Sequence, residues 1–114
     1  MMSFDKEQFG WLYIIQSKRL SARKFGITNN LESRLIQHGR DWEVVYAYRN
    51  NGVFISVMET LLKAYIGSRL PLSKLDFRDM KSSGFTETFP MSMRLSNRKI
   101  LRYCNRLIDA LKKQ

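Results

Sequence analysis

Two short runs of β-branched and aromatic residues set the frame for this chain. WLYIIQ at 11–16 and RKFGIT at 23–28 are separated by the polar, turn-like SKRLSA at 17–22. Residues of this kind favour strands, and two such runs joined by a short polar connection fold back on each other as an antiparallel hairpin. Gly26, inside the second run, marks a bulge or a close approach by another group.

Helices enter after the hairpin. NNLESRLIQHG at 29–39 predicts a helix in which Asn29 caps the start, Glu32 reaches back as in a capping box and Gly39 supplies the stop. Leu31 and Leu35 give it a short apolar stripe. WEVVYAYR at 42–49 predicts a third strand, ended by NNG. Phe54, Val57, Met58, Leu61, Leu62 and Tyr65 then recur at helical spacing and predict a helix over 53–67. Residues 68–84 are mixed, broken by Pro71 and Gly84, and FTETF at 85–89 is a brief extended piece. Ser96 caps a last helix whose buried face is Ile100, Cys104, Leu107, Ile108 and Leu111. The order β-β-α-β-α, an extended piece and a basic helix predicts an α+β fold: a small three-stranded antiparallel sheet flanked by helices. One domain over 1–114 is expected, with its core at about 10–95 and the basic helix at about 96–113.

Charge narrows the partners. Lys and Arg number 20 against 10 Asp and Glu, giving a net charge of +10 and a pI near 10.1. A basic excess of this size points to a polyanion, most often nucleic acid. Residues 94–114 hold seven basic residues (Arg94, Arg98, Lys99, Arg102, Arg106, Lys112, Lys113) and one acid, Asp109. A smaller cluster is Lys18, Arg19, Arg23 and Lys24. Among these, Lys18, Arg19, Arg23, Arg98, Arg102 and Arg106 are the expected nucleic-acid contacts. With one cysteine, Cys104, and one histidine, His38, neither a disulfide nor a Cys/His zinc site can form within one chain. The longest apolar run, WLYII, is too short to span a bilayer, and the chain opens without a signal-peptide pattern. The expectation is an intracellular, cytoplasmic protein with no membrane partner.

Singly, the polar residues near the apolar runs have ordinary explanations. Tyr13 suits a core aromatic, Arg34 and His38 border the Leu31/Leu35 stripe, and Glu59 with Lys63 at i+4 has the spacing of a surface ion pair. Their order suggests more. Trp11-Leu12-Tyr13, then Lys24-Phe25-Gly26 with its lysine eleven residues after Tyr13, resembles the paired motifs of the GIY-YIG nuclease superfamily. Arg34 stands eight residues after Gly26, where that family carries its arginine, His38 follows four later, and Glu59 lies on the next long helix, where the family has its metal-binding glutamate. GFTETF at 84–89 resembles the Gly-x-x-Glu-x-Phe segment of a small phage- and bacterium-associated branch named for a phage T5 reading frame. That branch commonly has lysine in place of the second motif's tyrosine. The first motif keeps only its tyrosine here, and the second has Lys24.

The resemblance implies a metal-dependent endonuclease that hydrolyses phosphodiester bonds, of DNA in preference to RNA, inside a host cell if phage-encoded. It implies Glu59 on a Mg²⁺ or Mn²⁺ ion, Arg34 on a non-bridging phosphate oxygen, Tyr13 as general base and His38 at the scissile phosphate or the leaving group. A free tyrosine has a pKa of about 10, so a base at neutral pH needs help, and Lys24 on the neighbouring strand is the expected helper. So small a chain would act as a homodimer, with a partner protein, or with little specificity. Two alternatives stay open: a catalytically silent nucleic-acid-binding module on the same fold, and a small phage or mobile-element protein that binds another protein.

Overall fold

A computed structural model describes residues 4–74 and 87–113. The hairpin is there: β1 (Phe9–Ser17) pairs antiparallel with β2 (Ala22–Thr28), placing Tyr13 opposite Gly26 and Ile15 opposite Lys24. The turn between them closes through Ser21 N–H on the Lys18 carbonyl at 3.3 Å, with Ser21 at φ +49°. β3 (Glu43–Asn51) lies antiparallel on the other side of β1, with a register shift between Ile14 and Ile15.

The sheet exceeds the expected three strands. The extended piece pairs as β5 (Glu87–Pro90) with the first half of β2, and the two-residue β4 (Ser73–Lys74) adds outside it, giving the order β3-β1-β2-β5-β4. A four-residue piece next to a proline gives little local strand signal, so its pairing to β2 was not legible without the partner. The first three residues of GFTETF lie outside the described residues, although Glu87, Thr88 and Phe89 are in β5.

Strand alternation sorts the side chains. Leu12, Ile14, Phe25 and Ile27 point to one face, where α2 (Gly52–Gly67) and α3 (Asn97–Lys112) cover them with Ile55, Met58, Leu62 and Ile66, and with Ile100, Cys104 and Ile108. Each such side chain taken from water contributes roughly 1.5–3 kcal/mol. Tyr13, Ile15 and Lys24 alternate to the opposite face, toward α1 (Leu31–His38).

Helix starts follow the capping chemistry with one shift. Asn30, not Asn29, caps α1, accepting from Ser33 N–H at 3.0 Å. That puts Glu32 one position too early for a capping box. Asn29 instead accepts from Asp5 N–H and donates to the Asp5 and Phe9 carbonyls, tying the N-terminal segment down. Asn51 caps α2 through Phe54 N–H at 2.9 Å, and Ser96 caps α3 through Lys99 N–H at 3.3 Å. Gly52 meets the segment before β1 so closely that a Cβ there would fall 2.5 Å from the Lys6 carbonyl oxygen. The buried face of α2 also differs from expectation. Val57 and Leu61 are partly exposed, while Ile55 and Ile66 are buried. Apolar residues surround much of this helix, so periodicity found the helix without choosing its face.

Candidate active site

The two strands of the hairpin and the end of α1 bring three of the candidate residues together. Tyr13 Oη lies 3.1 Å from His38 Nε2, and Lys24 Nζ lies 3.5 Å from His38 Nδ1. Tyr13 has no exposed surface and Lys24 is 4% exposed, while His38 is half-buried. Arg34, one turn before His38 on α1, belongs to the same electrostatic neighbourhood. Burial, then Lys24, then Arg34 push the imidazole down from its ordinary 6.5 to about 4, so it is neutral at physiological pH.

The geometry sets the protonation states. An ammonium can only donate, so Lys24 requires Nδ1 to be the acceptor, and the neutral ring then carries its proton on Nε2. The hydrogen bond to tyrosine therefore runs from Nε2–H to Tyr13 Oη. His38 being the chain's one histidine, its proton NMR signal is unambiguous. A titration should show a midpoint near pH 4, and a midpoint near 6.5 would dissolve the cluster. An unfolded imidazole takes its proton at about 6.5 and the folded one near 4. This group therefore costs stability as pH falls through that window and has no effect above it.

A residue that the sequence did not single out completes the cluster. Trp42 lies just before β3, after a turn in which Gly39 takes φ +93° and Trp42 N–H reaches the Gly39 carbonyl at 3.4 Å. Lys24 Nζ sits 4.0 Å from the centre of its ring, and the His38 ring is 6.4 Å away. The turn is pinned on both sides, by Arg19 to Asp41 at 2.5 Å and by Gln16 to Glu43 at 2.7 Å. A tryptophan between a helix stop and a strand has no spacing signature, since what it meets is two strands away.

Glu59 belongs to the other layer. It stands on α2, which covers the Leu12/Phe25 face, while Tyr13 and Lys24 face α1. Burial raises its carboxyl from 4.5 to about 7, offset by Lys63 and reinforced by Glu87. Lys63 does not close the i, i+4 ion pair that its spacing suggested; its ammonium goes to Glu87 at 3.0 Å. Glu87, buried at the start of β5, stands opposite Phe25 in the register, between the levels of Lys24 and Gly26. The acidic half and the Tyr-Lys-His half thus share a level on opposite faces of β2. β5 pairs with β2 over Ala22–Phe25, and from Gly26 onward that edge of β2 carries no strand among the described residues.

The donor set suits a hard divalent cation. Among the described residues no group of three His, Cys, Asp or Glu forms a complete cage. Glu87 already pairs with the Lys63 ammonium at 3.0 Å and burial holds the Glu59 carboxyl up near 7, so a water-carrying Mg²⁺ or Mn²⁺ held there would displace both Lys63 and the Glu59 proton.

The expected nucleic-acid contacts divide. Lys18 and Arg19 are exposed at the hairpin turn, Arg19 paired to Asp41. Arg23 does not fit its expected role. It is 2% exposed, donates to the Pro90 carbonyl at 2.7 and 3.2 Å and to Asn97 Oδ1 at 2.9 Å, and lies over the Phe89 ring. Asn97 in turn donates to Gln16 at 2.8 Å. Arg23 is a strut that docks the start of α3 on the sheet, and desolvation lowers its pKa. Arg98, Arg102 and Arg106 are exposed on α3. Among the described residues no helix is long and apolar enough to cross a membrane. Compared with family profiles, curated proteins and solved structures, the chain matches none of them.

Proposed function

We propose that this chain is a metal-dependent endonuclease that hydrolyses nucleic-acid phosphodiesters, with DNA as the favoured substrate. The observation that carries the reading is the Lys24–His38–Tyr13 chain, with Lys24 Nζ 3.5 Å from His38 Nδ1 and His38 Nε2 3.1 Å from Tyr13 Oη. Donation to Oη, with an ammonium behind it, favours the phenolate that forms once Tyr13 has released its own proton to solvent, and that phenolate takes a proton from an attacking water. Arg34 offers a planar fork to a non-bridging oxygen. Trp42 and the pinned turn hold the Lys24 ammonium in place. Glu59, with Glu87 beside it, would hold Mg²⁺ or Mn²⁺, which supplies charge relief at the phosphate and the departing 3′ oxygen. His38 lies on α1, none of whose residues is completely buried.

The full burial of Tyr13 favours a second reading: the same fold as a silent nucleic-acid binder, its tyrosine serving the core. Nicking of supercoiled plasmid, and cutting of single-stranded DNA and RNA, with Mg²⁺, Mn²⁺ or EDTA separates the two. The expected result is metal-dependent cutting, lost on chelation and reduced about 100-fold or more in Arg34→Ala, the scale of losing one charge-stabilising donor. Salt-sensitive binding with no cutting on any substrate would leave the binder.

A further inference from the structure

α3 carries its charge away from the Tyr13 face. Ile100, Cys104 and Ile108 face the core, together with partly buried Tyr103, Leu107 and Leu111. At 100° per residue, Arg98, Arg102 and Arg106 fall on the opposite side of the helix. α3 itself lies on the sheet face that Leu12, Ile14 and Phe25 present, whereas Tyr13 and Lys24 present the other. The arginine stripe therefore points outward from the helical layer and does not extend the surface around Tyr13, His38 and Trp42.

The stripe has the properties of a polyanion contact. Successive arginines advance about 6 Å along the helix axis. The ion pairs among the described residues are Arg19–Asp41 and Lys63–Glu87, so no described acid pairs with Arg98, Arg102 or Arg106. Leu101, Asn105 and the acid Asp109 share this open face of the helix. A membrane surface fits less well, because an interfacial helix needs an apolar face to bury in the headgroup region, and α3 has spent its apolar face on the core.

We infer that the outer face of α3 binds a second nucleic-acid segment, distinct from the one at the Tyr13 face, so that one chain bridges two segments. The inference rests on the nucleic-acid reading of the first face, but not on cutting. Bridging is measured in EDTA, with an immobilised duplex, a second labelled duplex and the full chain. The expected result is capture of the second duplex by wild type. Capture should be lost in the combined variant Arg98→Ala, Arg102→Ala, Arg106→Ala, with binding of a single duplex, by fluorescence anisotropy, weakened less than about threefold. The salt slope of the second binding step should be about 3 at most, since each neutralised phosphate contributes about 0.9.

Wild type that binds one duplex and captures no second overturns the inference, as does capture that survives in the combined variant. Capture that appears only with a dimer in mass photometry overturns it as well. Polyglutamate that displaces the second duplex as well as nucleic acid of equal charge overturns the assignment to nucleic acid. Cutting assayed separately with Mg²⁺ keeps the readings apart: cutting without bridging sinks this inference alone, and binding of no nucleic acid at either face sinks both.

Discussion

Replacing Glu59 by glutamine should abolish metal-dependent cutting, by at least about 10³-fold, while making the folded chain more stable at neutral pH. The two effects have one origin. The α2 environment disfavours the ionised carboxylate, chiefly by burial, and holds the group's pKa near 7 against an ordinary 4.5. A carboxyl whose folded pKa is raised binds more protons folded than unfolded, so stability falls as pH rises from about 4.5 to 7 and stays low above. The neutral amide escapes that penalty. The gain is at most about 3 kcal/mol at pH 8, less wherever solvent reaches the group, and nothing at pH 4. Thermal unfolding of both proteins at the two pH values measures it. Mg²⁺ should raise the melting temperature of wild type and leave that of the glutamine variant unmoved, because binding to the folded state alone stabilises it. Residual cutting equal to wild type would remove Glu59 from the site. A melting difference with no pH dependence would mean that burial does not disfavour the ionised carboxylate.

The burial that raises the Glu59 carboxyl comes from packing between distant segments, and such contacts mark the limit of what the sequence could disclose. Strand alternation and helix periodicity are local, and they placed the hairpin, α1, β3, α2 and α3 within a few residues. Tyr13, Lys24 and His38 were candidates through the resemblance of the motifs that carry them, with Lys24 expected beside Tyr13 across the hairpin; that His38 touches both is set by how α1 packs on the sheet. Three things depend on contacts between distant segments and left no local trace. Arg23 shares the composition of a phosphate-binding lysine or arginine, yet the Pro90 carbonyl and Asn97, more than sixty residues away, turn it inward. Trp42 gains its meaning from Lys24 across the sheet face. Glu87 becomes a neighbour of Glu59 only once β5 has paired with β2. The sidedness of the site is also invisible in spacing: Glu59 sits at the expected place on the expected helix, on the other layer from the tyrosine.

Lys24→Met then tests the chemistry on the α1 side. The lysine is 4% exposed, with its ammonium 3.5 Å from His38 Nδ1 and 4.0 Å from the Trp42 ring centre. Methionine keeps the unbranched shape and removes the charge, so the buried position stays filled. Three consequences are coupled. The His38 midpoint should rise from about 4 but stop short of 6.5, because burial, the larger cause, remains. Nδ1 loses its donor, so the ring is no longer held with its proton on Nε2, and Tyr13 Oη loses a fixed donor. The tyrosine then reaches its active form only at higher pH: the cutting rate at pH 7 should fall about 10²–10⁴-fold and the ascending limb of the pH–rate profile, which reports the base, should move to higher pH. Lys24→Arg should not restore the rate, since a planar guanidinium cannot occupy the ammonium's place between imidazole and indole. The decisive measurement is the double variant with Tyr13→Phe. If lysine acts through tyrosine, the double variant cuts no more slowly than Tyr13→Phe alone, because residues that act as a unit are not additive. Losses that multiply, with a pH profile that does not move, would assign Lys24 to the phosphate directly and leave Tyr13 without its proposed helper.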